Sequence, residues 1–336
     1  MLIVAAPDRF RGTAPATDVA AAVAAAAAAT GAACDVAPVA DGGEGTLEAL
    51  GGAVRSSTVR GPLGDPVEAE WRMQAGGTAV VEMARASGLA LAGGPGGNDP
   101  LRASTAGTGD LIAAALDAGA TRLIVGAGAS ASTDGGLAAL TALNPRRRLH
   151  AGIELVVACD VDTLFIDAAE VFAPQKGATP AQVALLRRRL ERLAQIYLRD
   201  YGVDVRDEPG SGAGGGLAGG LAAAGAVLLP GFDVVAEALA LAERIAPADL
   251  VVTGEWTVDA ESFEGNPVGG VVGLATAAGV PVLVVAGDVL ADELPELAPS
   301  VQVVSLVARF GRDRATADVT GCVEEVLRTT LPDLRG

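Results

Sequence analysis

Along most of this 336-residue chain, short runs rich in valine, isoleucine and leucine alternate with alanine-rich stretches of helical length. That alternation predicts parallel βαβ units. "LIVAAPD" at residues 2–8 reads as a buried strand, "ATDVAAAVAAAAAAT" at 16–30 as a helix starting near Thr17 or Asp18, and "CDVAPVAD" at 34–41 as a second strand. From 54 to 83 polar and apolar residues alternate instead, with turn residues at Gly61-Pro62, Gly64-Asp65 and Gly76-Gly77, which predicts hairpins and a mixed sheet. The α/β texture then returns with a helix at "TGDLIAAALDAG", a strand at "TRLIVGAGAS", a helix from "DGGLAAL" and a strand at "IELVVACDV". A long amphipathic helix follows at 179–201; its Arg187, Arg188, Arg189 and Arg192 read as a solvated face. Plain βαβ resumes at 249 and runs to a final helix at "TGCVEEVLRTTL". The two ends share one texture and the middle another. The expected fold is therefore α/β with two α/β domains. Residues 1–53 and 245–336 form a Rossmann-like parallel-sheet domain, and 54–244 form an inserted domain with a mixed sheet.

Composition sharpens this picture. Half the chain is apolar and mean hydropathy is +0.41, enough for a large core, while aromatics are only 3% and glycines number 45. A net charge of −17 excludes the basic footprint expected for nucleic acid or an anionic membrane. Cys34, Cys159 and Cys322 have no metal-like spacing and read as free thiols in a reducing, cytoplasmic setting. The first residues lack a basic leader region. The longest uncharged run, Gly270 to Gly287, is broken by Gly279 and Pro281 and reads as helix, turn and strand.

Candidate chemistry is narrowed first by exclusion. His150 is the single histidine, so neither a zinc site nor a histidine triad has the residues it needs. "GSGAGG" from Gly210 matches a dinucleotide fingerprint in form but follows "RDEP" and not a strand; no P-loop pattern occurs. Acids beside glycines at strand ends remain: Asp8, Asp41, Glu44, Asp134, Asp160, Glu255 and Asp259. An ordinary turn or helix cap explains any one Asp-Gly pair. The set as a whole points to Mg²⁺ bridging phosphate to protein, with glycine N–H groups cradling the anion and a spare carboxylate facing a hydroxyl. Of 24 basic residues one is lysine, Lys176, which suggests a compact point charge on phosphate.

At this point the chain resembles the type I glycerate kinases, the bacterial glycerate 2-kinase family. The matching stretches are "APDRFRGT", "PVADGGEGT", "EMARASGLAL", "STAGTGDLIAAALDAGA", "GASASTDGG", "VACDV", "VFAPQKGAT", "GSGAGGGLAGGLAA" and "ADLVVTGEWTVDAESFEGNPVGGV". The resemblance implies an ATP- and Mg²⁺-dependent kinase making 2-phosphoglycerate from D-glycerate, with its active site in the cleft between two α/β domains. It implies catalytic roles for Asp41, Asp134, Lys176 and Glu255, and metal binding by Asp41, Asp134 and Asp160. Substrate or phosphate contacts are implied for Asp8, Arg11, Gly42, Gly43, Glu44, Thr46, Ser130, Thr133, Gly135, Gly136, Gln175, Gly254 and Asp259. The family pattern is broken at Arg9 and Arg11, where serine and lysine are usual, and at Trp256, Glu261, Glu264 and Asn266 in the last motif. Two alternatives therefore stay open: a non-catalytic paralogue, and a kinase with a shifted acceptor.

Overall fold

A computed structural model describes residues 1–149, 152–290 and 294–331; His150 lies outside them. The strands are, in chain order, β1 (Leu2–Ala5), β2 (Ala33–Val36), β3 (Ala53–Arg60), β4 (Pro66–Met73), β5 (Thr78–Glu82), β6 (Arg122–Gly126) and β7 (Glu154–Cys159). They continue with β8 (Val227–Pro230), β9 (Leu250–Thr253), β10 (Thr257–Val258), β11 (Val282–Ala286), β12 (Asp288–Val289) and β13 (Val301–Ser305). Two compact α/β units result. The terminal unit comprises Met1–Ala40, Glu48–Leu50 and Phe232–Gly336, and the middle unit Asp41–Leu47 and Gly51–Gly231.

The terminal unit is a five-stranded sheet in the order β13-β11-β9-β1-β2, parallel throughout. Its strands read as continuous apolar runs because both faces are covered. Ile3 and Ala5, with Leu250, Val252, Leu283 and Val285, enter one core with the helices Ala16–Ala29 and Val319–Thr330. Val4, Val251, Val282 and Val284 enter a second core with the helix Pro267–Ala277. The period of two along each strand thus sorts residues between two helical layers. The first helix begins at Ala16 after Pro15, so Thr17 and Asp18 lie in its first turn, with Asp18 on the favourable side of the helix dipole. β2 stops at Val36 and not at Asp41, two residues before Pro38, which has no N–H for a ladder. The run from Gly270 is helix, turn and β11, and among the described residues no helix is long and apolar enough to cross a membrane.

The middle unit is a six-stranded mixed sheet, β3-β4-β5-β6-β7-β8. β3, β4 and β5 are antiparallel neighbours, as the 54–83 texture predicts, and β5 through β8 are parallel. Ala79, Val81, Leu123, Val125, Leu155 and Val157 share a core with the helices Ala106–Asp117 and Pro180–Tyr201. The long helix starts at a capping box between Thr179 and Gln182 and ends at Gly202, with Leu186, Leu190, Leu193 and Tyr197 inward. Arg188, Arg189 and Arg192 are exposed and Arg187 pairs with Asp167, Glu170 and Glu191, so the cluster is a solvated face. In the parallel register Glu82 stands beside Gly126, and Gly126 beside Ala158. The carboxyl ends of β5, β6 and β7 therefore open side by side, where open α/β sheets take their ligands.

Candidate active site

From the end of β6 the chain runs through residues 127–136, "AGASASTDGG", before the helix Leu137–Leu143. This loop is stitched to the segment after β5: Leu89 N–H donates to Ala129 C=O at 2.9 Å, Ala131 N–H to Ser87 C=O at 2.9 Å, and Gly88 bridges Ser130. Ala129 holds a left-handed φ of 53°, rare for a residue with a side chain and the kind of strain that gathers at functional loops.

Asp134 closes the loop from inside. Its carboxylate accepts from Thr105 N–H at 2.9 Å, from Thr105 Oγ1 and from Gly136 N–H at 3.1 Å. Burial raises its pKa above the ordinary carboxylate value and those donors oppose the rise. Tyr197 Oη donates to Gly135 C=O at 2.8 Å and ties the long helix to the same turn.

Lys176 sits on the 3₁₀ turn Pro174–Lys176 and is 4% exposed. Its Nζ lies 2.6 Å from Ser130 Oγ and 2.6 Å from Ser132 C=O. Among the described residues no carboxylate comes within ion-pair reach of it. Burial pushes its pKa from 10.5 down to about 7, against the pull of Asp134. Asn98, which the sequence reading passed over, clamps the arrangement: its Nδ2 donates to Ala131 C=O and to Lys176 C=O, each at 3.0 Å.

The glycine run that fails as a dinucleotide fingerprint has another use. Gly214, Gly215 and Gly216 all take left-handed φ values, 62°, 70° and 87°. A Cβ on Gly215 would run into Ser132 C=O and meet Lys176 Nζ at 3.0 Å, so bare backbone is what leaves room for the lysine. Lys176, Ser130, Gln175, Asp160, Gly214 and Gly215, with Leu89 and Phe172 as apolar walls, line a pocket of about 270 Å³.

The "ADGGEGT" segment packs against the same unit. Gly42, at φ 86°, passes so close to Ala158 Cβ and Gly231 Cα that a side chain would meet them at 2.7 and 2.8 Å. Asp41 accepts from Gly43 N–H at 2.8 Å, and Thr46 Oγ1 donates to Gly43 C=O at 2.7 Å. Glu82, 1% exposed and not expected from the sequence, takes Gly45 N–H at 2.9 Å and Leu47 N–H at 3.0 Å and pairs with Arg85. This corrects the anion cradle: Gly43, Gly135 and Gly136 direct their N–H groups to Asp41, Gly215 C=O and Asp134. Glycine serves close approach at these turns. Glu44 is exposed, and Thr133 is buried with a hydroxyl that meets no protein partner.

In the terminal unit, Asp8 N–H donates to Gly254 C=O at 2.9 Å, so these two meet where β1 and β9 end. Asp8 also accepts from Arg9 N–H at 2.7 Å; Arg11 is exposed and Glu255 half-buried. Asp259 accepts from Ser262 N–H at 3.0 Å. The divergent last motif is well formed: Asn266 Nδ2 donates to Glu261 C=O at 2.8 Å, and Trp256 lies against Gly287.

Asp41, Asp134 and Asp160 do not gather into a metal site; among the described residues no three Asp, Glu, His or Cys side chains do. Asp134 has its oxygens filled by Thr105 and Gly136. A magnesium ion carried on phosphate would need only one or two carboxylates from the protein, and Asp160 is the carboxylate that lines the pocket.

Two α/β units, one carrying a buried lysine in a pocket at the strand ends, define the class: a small-molecule enzyme of the open-sheet type. The model of the glycerate kinase family matches residues 3–148 and 144–330. The chain is 37% identical to a glycerate 2-kinase of Escherichia coli K12, over 98% of this chain and 93% of that protein. It is 38% identical to a glycerate kinase of Bacillus subtilis 168, over 87% and 86%. It also matches the crystal structure of a candidate glycerate kinase 2 from Salmonella typhimurium LT2, with a TM-score of 0.81, 33% identity and full coverage of both chains. The chain belongs to the glycerate kinase family and is a phosphotransferase with an alcohol group as acceptor.

Proposed function

We propose that the protein transfers the γ-phosphoryl group of ATP to D-glycerate, or to a closely related small hydroxy acid, giving 2-phosphoglycerate from glycerate, in the cytoplasm. The observation that carries this reading is Lys176: a buried lysine on the wall of a pocket at the strand ends, with no carboxylate within ion-pair reach among the described residues. Phosphate and substrate carboxylate are the groups that would complete it. Bound Mg²⁺ would neutralise charge on the phosphates, with Asp160 as its carboxylate. Ser130 and Gln175 line the same pocket and would hold the substrate. Asp134 is best read as a positioning residue, since its oxygens are spent on ordering the loop that presents Ser130 and Ser132. Asp8, Arg11, Gly254, Glu255 and Asp259 belong to the terminal unit and enter this reading through the family resemblance.

The test is ADP release from ATP and Mg²⁺ with D-glycerate, then with a panel of small hydroxy acids. Turnover with glycerate is expected, and Lys176→Met should lower kcat by about 10²–10³ without loss of the cooperative melt. No turnover with any acceptor, in protein that melts cooperatively and binds nucleotide, would overturn the kinase reading and leave the non-catalytic paralogue. The ordered loop at 256–266 gives that alternative no support from misfolding.

A further inference from the structure

The two oxygen partners of Lys176 can serve a neutral amine as well as an ammonium ion. A charged lysine offers three N–H donors, and Nζ has two oxygen partners. Ser132 C=O can only accept, whereas Ser130 Oγ can also donate. A neutral amine satisfies both, giving an N–H to Ser132 and taking the Ser130 O–H on its lone pair. The Phe172 ring, 5.9 Å from Nζ, lies at the outer limit of cation–π reach. Asp134 is not a counter-ion at contact distance, and its oxygens are filled by Thr105 and Gly136. The depressed lysine pKa agrees with this polarity. Ser130 is itself held still, because the residues on either side of it are hydrogen-bonded to Ser87 and Leu89, and both members of the pair face the pocket.

We infer that Ser130 is a nucleophile with Lys176 as its base, and that it takes a phosphoryl group from a nucleoside triphosphate in this pocket when no hydroxy acid is present. Serine–lysine pairing is a known route to an activated hydroxyl. The step balances within the pair and the nucleotide. A bond forms between Ser130 Oγ and the γ-phosphorus, and the bond from that phosphorus to the β–γ bridging oxygen breaks. The hydroxyl proton moves to Lys176 Nζ, and the electron pair leaves with the nucleoside diphosphate. The proton transfer also creates the ammonium charge beside the phosphoryl oxygens when they need it. The inference rests on the phosphotransferase reading but goes beyond it.

The experiment incubates the protein with ATP and Mg²⁺ without acceptor and reads intact mass and peptide maps; ADP release with the hydroxy-acid panel is measured on the same preparation. One HPO₃ on Ser130 is expected, lost in Ser130→Ala and formed at least about a hundredfold more slowly in Lys176→Met. Glycerate turnover with Ser130 unmodified overturns the inference and leaves the kinase reading standing. Modified Ser130 without turnover of any hydroxy acid supports the inference and removes the acceptor assignment. A phosphoryl group at another residue, or undiminished labelling in a folded Lys176→Met protein, also overturns it. Because the wild-type map alone decides the site, misfolding of either variant does not rescue the idea.

Discussion

Lys176 is where one residue's chemistry can be read by pH. Its pKa falls from 10.5 in the unfolded chain to about 7 in the fold, with burial as the cause. Between those values the unfolded state binds more protons, so this residue makes stability rise with pH from about 7 toward 10.5. Below about 7 it is charged in both states and its burial penalty is fully expressed. Lys176→Met should therefore raise the melting temperature relative to wild type most near pH 6 or about 6.5, and the gain should shrink by about pH 9.5. A gain that grows with pH would refute the assignment. Gly215 offers a second residue-scale test. Gly215→Ala adds left-handed strain and a clash with Ser132 C=O, and should cost about 2–4 kcal/mol in chemical denaturation. Gly225→Ala, at φ 100° in open space, should cost only the strain, about 1–2 kcal/mol.

At the scale of elements, periodicity made the sheet strands and most helices legible, including the switch to hairpins at 54–83. β10 and β12 are two residues each, too short for any pattern. Local sequence could not show where backbone N–H groups would point. "ADGGEGT" suggested an anion cradle, and Glu82, more than thirty residues away in sequence, fills much of that need. An acid at the end of "TAVVE" carries no mark of such a role in its own neighbourhood. Asn98 and Thr105 were missed for the same reason: both act on loops distant in sequence. Lys176 and Ser130 were legible because scarcity and motif position marked them. The long helix was legible too, and its exposed arginines test that reading. Replacing Arg188 and Arg192 together by alanine should change stability by less than about 0.5 kcal/mol, and a larger loss would show that the face is covered.

Taken whole, the molecule divides into a terminal unit with a sheet covered on both faces and a middle unit that carries the pocket. The fold class followed from texture because the parallel and hairpin patterns differ so plainly. The single lysine of the sequence sits buried in the middle unit. A lysine-specific protease thus has one peptide bond to cut, and in the native protein that bond follows a side chain it cannot grasp. Cleavage into 1–176 and 177–336 should be slow and should accelerate only when the middle unit opens. The chain thus carries a built-in clock for its own opening, read as two bands on a gel, and a pocket ligand that slows it would be detected without any assay of turnover.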